Sequence, residues 1–306
     1  MRVLLTGGAG FIGSHVAELL LSRGHEVAIV DDLSSGNLEN VPEGALFYEM
    51  DIRSGCEDVF EEFGPDALCH QAAQMDVRRS VAEPDFDAEV NIIGTVRLLE
   101  GCLRHGVRKV VFASTGGAVY GEQETFPATE DHPQYPVSPY GVSKLAGERY
   151  LHYYRVQNGL PYVALRYANV YGPRQDPHGE AGVVAIFSGN LAADRTSRIN
   201  GTGEQTRDYV YVADVARANV LAVERDVPSG AYNVGTAIET SVNRLYEILL
   251  KVSGQEEFPP QYGPAKPGEQ MRSCVDPTKS TRVLGWEATV DLNTGLERTL
   301  RFFAAL

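Results

Sequence analysis

The first thirty-two residues confine this chain to a narrow set of folds. Residues 2–6 are an apolar run, Gly7-Gly-Ala-Gly-Phe-Ile-Gly13 follows, and residues 11–23 carry the apolar spacing of an amphipathic helix. The next apolar run, 27–31, ends in Asp31-Asp32. Strand, glycine turn, helix and strand in that order make a βαβ unit with the turn at its phosphate-binding end. Gly8, Gly10 and Gly13 fit G-x-G-x-x-G, and Gly7, Gly10 and Gly13 fit G-x-x-G-x-x-G. Glycine there allows a tight turn, close approach of backbone to a pyrophosphate, and close packing of helix on strand. The helix N-terminus adds N–H groups and the positive end of its dipole. An acid about 20 residues further on accepts from ribose hydroxyls and repels a 2′-phosphate. Asp31 and Asp32 stand at that place and no arginine replaces them, so the expected ligand is NAD rather than NADP. Phe11 and Ile12, at the exit of the turn, belong to the same expected cofactor site.

Further apolar runs at 45–49, 67–70, 109–114 and 162–167 alternate with helical patterns that include 84–105 and 139–158. Alternation of this kind predicts an α/β fold with a doubly wound parallel (Rossmann) sheet, and branched runs such as Val110-Val-Phe-Ala113 suit strands buried on both faces. Past about residue 170 the pattern loosens into Gly- and Pro-rich loops, with helices expected near 181–192, 213–225, 241–252 and 293–304. Residues 258–268 read as a long turn-rich loop of the sort that often carries function. The expected plan is a cofactor domain over 1–168 and a smaller C-terminal α/β substrate-binding domain over 169–306. Segments near 205–235 return to the first domain, and the substrate cleft lies between the two.

The net charge of −14 over 306 residues, with no basic stripe, argues against a nucleic-acid partner. Cys56, Cys69, Cys102 and Cys274 are scattered, which suits thiols in a reducing compartment and gives neither a disulfide framework nor a zinc site. No apolar run is long enough for a bilayer and the strand-like start is no signal peptide, so a cytoplasmic protein without a membrane partner is expected.

Ser138-Pro-Tyr-Gly-Val-Ser-Lys144 places a phenol and an ammonium four residues apart at the start of the 139–158 helix. Ser138 suits the N-cap and Pro139 the first helical position. Tyr140 and Lys144 then share one face. A free tyrosine titrates near ~10 and is a poor base at neutral pH; an adjacent ammonium favours the phenolate. Taken alone the pair is ordinary packing, but beside a dinucleotide cradle it becomes a candidate proton relay.

With the glycine turn, Asp31, Tyr140 and Lys144 in one chain, the sequence resembles the extended short-chain dehydrogenase/reductase family of nucleotide-sugar enzymes. Matching motifs run nearly end to end: Asp51-Ile52, His70-Gln-Ala-Ala-Gln74, Asn91-Ile-Ile-Gly-Thr95, Ser114-Thr-Gly-Gly-Ala-Val-Tyr-Gly121, Leu165-Arg-Tyr-Ala-Asn-Val-Tyr-Gly-Pro-Arg174 and Arg207-Asp-Tyr-Val-Tyr-Val-Ala-Asp214. Within the family it looks most like the UDP-glucose 4-epimerases in their short prokaryotic form. The resemblance implies that Asp31 binds the adenosine ribose and that Asp51 and Ile52 hold the adenine. It places Ala72, Ala73, Gln74 and Asn91 along the cofactor path, and makes Tyr140 and Lys144 the catalytic pair, Lys144 also bonding the nicotinamide ribose. Asn169 and Arg207 would address the sugar nucleotide, Arg207 through its diphosphate. The family also implies a homodimer through a four-helix bundle built from the 84–105 and 139–158 helices, to which an apolar stripe such as Ile93, Val96 and Leu99 lends itself.

Reaction type is expected from what is missing. Family members share oxidation of the sugar at C4; the 4,6-dehydratases carry Asp-Glu just before Val-Tyr-Gly, and the UDP-glucuronate decarboxylases a Glu. Here Gly117 and Ala118 hold those places and neither moves a proton. Such a protein can only return the hydride, and a keto sugar that turns before the return becomes the C4 epimer. Three departures from the epimerase pattern matter. Gly116 aligns with the hydroxyl residue that bonds substrate, leaving Thr115 or Ser114 to supply it, Thr115 preferred. Met75 stands where a lysine often touches the nicotinamide. Lys266, before Pro267-Gly268-Glu269, replaces an arginine, which keeps charge and loses the fork; Lys266 and Glu269 are still expected on the substrate side. Ser273, seven places past Lys266, takes the position where a large aromatic excludes N-acetyl groups, so UDP-GlcNAc and UDP-GalNAc are expected as substrates beside UDP-Glc and UDP-Gal. UDP-glucuronate epimerisation, with Arg78, Arg79 or Arg272 meeting the carboxylate, stays open, as do a dehydratase or decarboxylase and a cofactor-sensing protein without catalysis.

Overall fold

Val3 and Leu5 of strand β1 (Arg2–Thr6) pack into one buried cluster and Leu4 into another, because successive strand residues face opposite sides of a sheet. A strand buried on both faces needs helices on both, and the computed structural model, which describes residues 1–177, 182–265 and 270–306, supplies them. β2 (Glu26–Asp31), β3 (Leu46–Glu49), β4 (Ala67–His70), β5 (Lys109–Thr115) and β6 (Tyr162–Tyr167) join β1 and the strand Gly230–Val234 in a seven-stranded sheet. The order is 230–234, β6, β5, β4, β1, β2, β3, with every pairing parallel. The chain winds outward from β1 to β3, then crosses back to β4. That reversal leaves a crevice at the carboxyl ends of β1 and β4, the usual ligand position in an open doubly wound sheet.

On one face lie helix α1 (Phe11–Ser22) and the helix Val212–Glu224, joined through Val16, Ala17, Leu20, Val215, Ala216 and Val220. The other face is covered by Glu57–Phe63, Thr95–Arg104 and Pro139–Asn158, which contribute Phe60, Leu98, Leu99 and Leu151. Leu99 is therefore core, not part of an exposed stripe. Over residues 84–105 and 139–158 the exposed large apolar side chains are Ile93, Val142, Tyr150, Tyr153 and Val156.

Beyond β6 a second sheet forms around Thr206–Tyr211, which pairs with Glu239–Ser241 on one edge and Arg272–Ser273 on the other, and at 209–211 with Asn169–Tyr171. Helices Val183–Ala192, Val242–Ser253 and Leu292–Ala304 enclose its core of Phe187, Tyr246, Leu249 and Leu296.

The doubly wound parallel sheet is as expected, with local differences. Residues 84–105 are not one α-helix: Pro84–Ala88 is α, Glu89–Gly94 is a π segment, and Thr95–Arg104 is α again. Gly94 allows Ile52 to pack against the wide turn, since a Cβ there would meet Ile52 Cδ1 at 2.9 Å. The short helices Glu57–Phe63 and Val77–Ala82 lie outside the expected set, being shorter than a period can reveal. The 258–268 stretch is not wholly loop, because Gln261–Gly263 pairs in parallel with Arg198–Asn200. Lys266 and Glu269 lie outside the described residues.

Candidate active site

Five strand ends converge on the crevice: Thr6, Asp31, His70, Thr115 and Tyr167. At the first, Gly7 adopts φ 71°, which glycine tolerates and other residues resist. A Cβ on Gly13 would lie 2.0 Å from the Gly7 carbonyl oxygen, so α1 rests directly on the turn. Asp31 is buried and accepts from the N–H groups of Ala9 (3.0 Å) and Leu33 (2.9 Å), bracing the turn from β2; burial raises its pKa against those bonds. Asp32 is exposed and accepts from Ser34. Asp51 caps the 3-10 turn Ile52–Ser54 and pairs with Arg53 at 2.6 Å, while Ile52 is core. Ala72 donates its N–H to the Thr6 carbonyl, and it and Ala73 are half-buried beside the glycine turn. A bare turn with N–H groups, closed by an acid and lacking an arginine, fits NAD.

Asn91 is placed differently from expectation. It is 3% exposed, accepts from Gln74 N–H (2.9 Å), and its amide lies within bonding distance of the Gln74 carbonyl, Asp87 and Ser143. Its polar atoms are spent on the 71–76 segment, Asp87 and Ser143. The π segment is what carries it inward.

Ser138 Oγ accepts from Gly141 N–H at 3.1 Å and Pro139 opens the helix, as its chemistry dictates. Tyr140 is half-buried on the crevice wall. One turn on, Lys144 is only 3% exposed: Nζ donates to the Ala113 carbonyl at 3.0 Å and stands 4.9 Å from the Phe112 ring centroid and 6.0 Å from that of Tyr140. Burial brings its pKa down to about 8, and the Asp87 carboxylate works in the other direction. His70 is wedged between Thr6 Oγ1 (2.7 Å) and Thr95 Oγ1 (3.0 Å); burial and Lys144 lower it to about 3, so it stays neutral.

The two candidate hydroxyls part company. Ser114 donates to Glu148 Oε1 at 2.5 Å, and Glu148 is gripped by Arg166 through Nε (2.9 Å) and Nη2 (2.6 Å). Arg166 continues to Tyr120 and Tyr120 to Asn233, a buried network that anchors the end of β5. Both residues line the cavity, but the Ser114 hydroxyl is committed to Glu148 and that of Thr115 is not. Position 116 has no room for a side chain: a Cβ on Gly116 would strike Val275 Cγ1 at 2.7 Å. One on Gly117 would lie 3.8 Å from Thr115 Oγ1 and 4.0 Å from Asn169 Oδ1, which shows how those two groups converge.

The cavity has a volume of about 680 Å³ and runs from Phe11 and Ile12 at the cofactor turn, past Thr115, Tyr140 and Asn169, to Arg207. Arg207 is half-buried and its Nη1 donates to the Thr206 carbonyl at 2.8 Å. Ser273 is 4% exposed, pairs with Arg207 across adjacent strands and is not among the described residues that line the cavity. Met75, Arg78, Gln175, Arg198 and Asn200 also line the cavity; of these the sequence points to Met75, at the place where a lysine often touches the nicotinamide, and to Arg78, as a possible carboxylate partner. Arg198 and Asn200 arrive through the pairing with 261–263, which no local pattern signals. Of the three arginines weighed for a carboxylate, Arg79 pairs with Glu83 and stacks on Phe86, and Arg272 pairs with Glu239 and stacks on Phe126. Only Arg78 reaches the cavity, and its guanidinium makes no ion pair among the described residues. Among those residues no cluster of side chains could hold a metal, and no helix is long and apolar enough to cross a membrane.

Residues 3–235 match the model of the NAD dependent epimerase/dehydratase family. The chain superposes on the UDP-glucose 4-epimerase of Thermotoga maritima, solved with UDP-glucose, with a TM-score of 0.96 and 47% identity over 99% of this chain and 98% of that one. The Thermus thermophilus UDP-glucose 4-epimerase, solved with NAD, gives 0.93 and 46% over 99% of each. A UDP-N-acetylglucosamine 4-epimerase of Methanobrevibacter ruminantium, in complex with UDP-N-acetylmuramic acid, gives 0.94 and 34% over 99% and 98%. A glycine cradle, an acid closing it and a tyrosine–lysine pair on the same crevice, with this likeness over the whole length, establish that the chain belongs to the NAD-dependent epimerase/dehydratase family.

Proposed function

We propose that the chain interconverts UDP-sugars epimeric at C4, with NAD retained through the cycle. The observation that carries this is the convergence of Tyr140, Thr115 and Asn169 on one cavity beside the cofactor turn, with Gly117 and Ala118 offering no further acid or base. NAD, when bound, supplies a reversible hydride acceptor. Gly7, Gly10, Gly13 and Asp31 would hold it, and Lys144 would meet its nicotinamide ribose. Tyr140 takes the proton from the sugar O4 as the ketone forms and gives it back when C4 is reduced. The Lys144 ammonium favours the phenolate that this needs. Thr115 orients the O4 hydroxyl, and Arg207 grips the diphosphate while the ketone turns. Chromatography of products from UDP-Gal and UDP-Glc tests the reading. Tyr140→Phe should lose about 10²-fold or more in turnover with NAD still bound; unchanged turnover refutes the mechanism.

N-acetylated substrates enter the same site. Ser273 is small and adjoins Arg207, and the Methanobrevibacter relative is named for UDP-N-acetylglucosamine. Ser273→Tyr should remove UDP-GalNAc turnover and spare UDP-Gal; equal loss of both, or of neither, overturns that assignment. Arg78 favours a second reading, in which a hexuronate carboxylate pairs with that cavity arginine, and UDP-galacturonate in the same assay decides it. Ile93, Val142, Tyr150, Tyr153 and Val156 support a homodimer built on the 84–104 and 139–158 segments. All four cysteines are buried free thiols, which supports a reducing, cytoplasmic setting.

A further inference from the structure

We propose that Asp87 is a positioning residue for the catalytic pair, a buried counter-charge that keeps Lys144 protonated and ties the segment lining the cofactor path to the catalytic helix. The inference rests on the reading of Tyr140 and Lys144 as the proton relay.

Asp87 is 1% exposed, a rare place for a carboxylate without a basic partner in contact. Its Oδ1 accepts from Gln74 Nε2 and Asn91 Nδ2, both at 3.0 Å, and no direct ion pair with it forms among the described residues. From Asn91 the network reaches Ser143 Oγ at 3.2 Å, and Ser143 donates to the Tyr140 carbonyl at 3.0 Å. Gln74 closes the loop, donating its own N–H to Asn91 and, through Nε2, bonding the Asp76 carbonyl. A charge held by two amides in the interior has high electrostatic reach, because little solvent screens it.

Groups from four elements face Lys144 among the described residues. Tyr140 lies on its own helix, His70 ends β4, Phe112 and the Ala113 carbonyl belong to β5, and Asp87 comes from the segment packed across the helix. One turn on, Glu148 is closed in its pair with Arg166. His70 is neutral, so among the described residues Asp87 is the anion left to offset burial of the ammonium. An ammonium lost at too low a pH withdraws support from the Tyr140 phenolate as the catalytic base.

The chain has five lysines, so ¹³C-ε lysine NMR can follow Lys144 directly, with Lys144→Met assigning its signal. Asp87→Asn preserves shape and removes charge; at equal nucleotide load the Lys144 midpoint should fall by about one pH unit. The alkaline limb of kcat/KM should move the same way by the same amount. Asp87→Glu restores the charge and should return both to the wild-type position. A purely structural Asp87 predicts the reverse order, with Asn better tolerated than Glu and neither midpoint moved. An unmoved midpoint in Asp87→Asn overturns the proposal. If that variant does not fold, the smaller neutral Asp87→Ser decides: a midpoint lowered by about one unit supports the proposal and a wild-type midpoint overturns it. A shifted midpoint in a protein without epimerase activity would leave the coupling intact and remove the functional reading, so the two fail separately.

Discussion

Replacing Gly13 by alanine tests the cofactor cradle with one methyl group. The built Cβ lies 2.0 Å from the Gly7 oxygen, 2.8 Å from Gly7 C and 2.9 Å from Gly8 Cα. All three are backbone atoms, so no side chain can swing away. Restoring ordinary contact at roughly 3.4 Å means parting the first turn of α1 from the glycine turn by more than about 1 Å. Overpacking of this kind costs about 1–3 kcal/mol. The displaced groups are the ones that should address the pyrophosphate, so much of that cost should fall on binding. A loss of about 2 kcal/mol corresponds to ~30-fold weaker NAD. Calorimetric titration of nucleotide-free protein measures the affinity, and melting with and without excess NAD separates it from damage to the fold, since the ligand stabilises by mass action. A Gly13→Ala protein that melts like the wild type and binds NAD equally well would remove the cradle from the argument.

Other outcomes follow from the same structure. Glu148→Gln leaves the Arg166 guanidinium buried and unpaired, which should destabilise the fold by about 3–5 kcal/mol in a denaturant titration. Tyr153→Asp combined with Val156→Asp should give a monomer by light scattering if the exposed apolar face is the subunit contact. Because burial lowers the folded-state pKa of Lys144 to about 8, the unfolded chain binds this proton more readily between about pH 8 and its usual value of 10.5. Lys144 therefore weakens the fold most below pH 8, and the penalty fades as pH rises through that window. The slope of stability against pH should flatten there in Lys144→Met.

Much of this was legible in the sequence because it is local. The glycine turn, Asp31 and the Ser138–Lys144 start of a helix each fall within one or two elements, so spacing alone places them. Thr115 and Ser114 are neighbours whose fates differ only because β5 alternates, committing one hydroxyl to Glu148 and not the other. That partition depends on where residue 148 lies, and nothing near residue 114 reports it. Arg198 and Asn200 were illegible for the same reason, as their approach depends on a strand sixty residues away. Asp87 was hidden by its type, since an acid after Pro84 reads as an ordinary first-turn residue facing water. The π segment left no mark because one extra residue in a turn shifts the apolar phase too little to notice.

That extra residue sets an arithmetic for the chain length. Each residue advances an α-helix by about 100°, so a deletion anywhere within Thr95–Arg104 would turn everything beyond it off the sheet. A π turn already holds one residue in surplus. Deleting Ile93, which points outward, would let Glu89–Gly94 close into regular α geometry while Leu98, Leu99 and Cys102 kept their bearing on the core. The fold is thus in register for a chain of 305 as well as of 306 residues at this one place. What the shorter chain would forfeit is the bulge that delivers Asn91, and with it the bonds that brace Gln74.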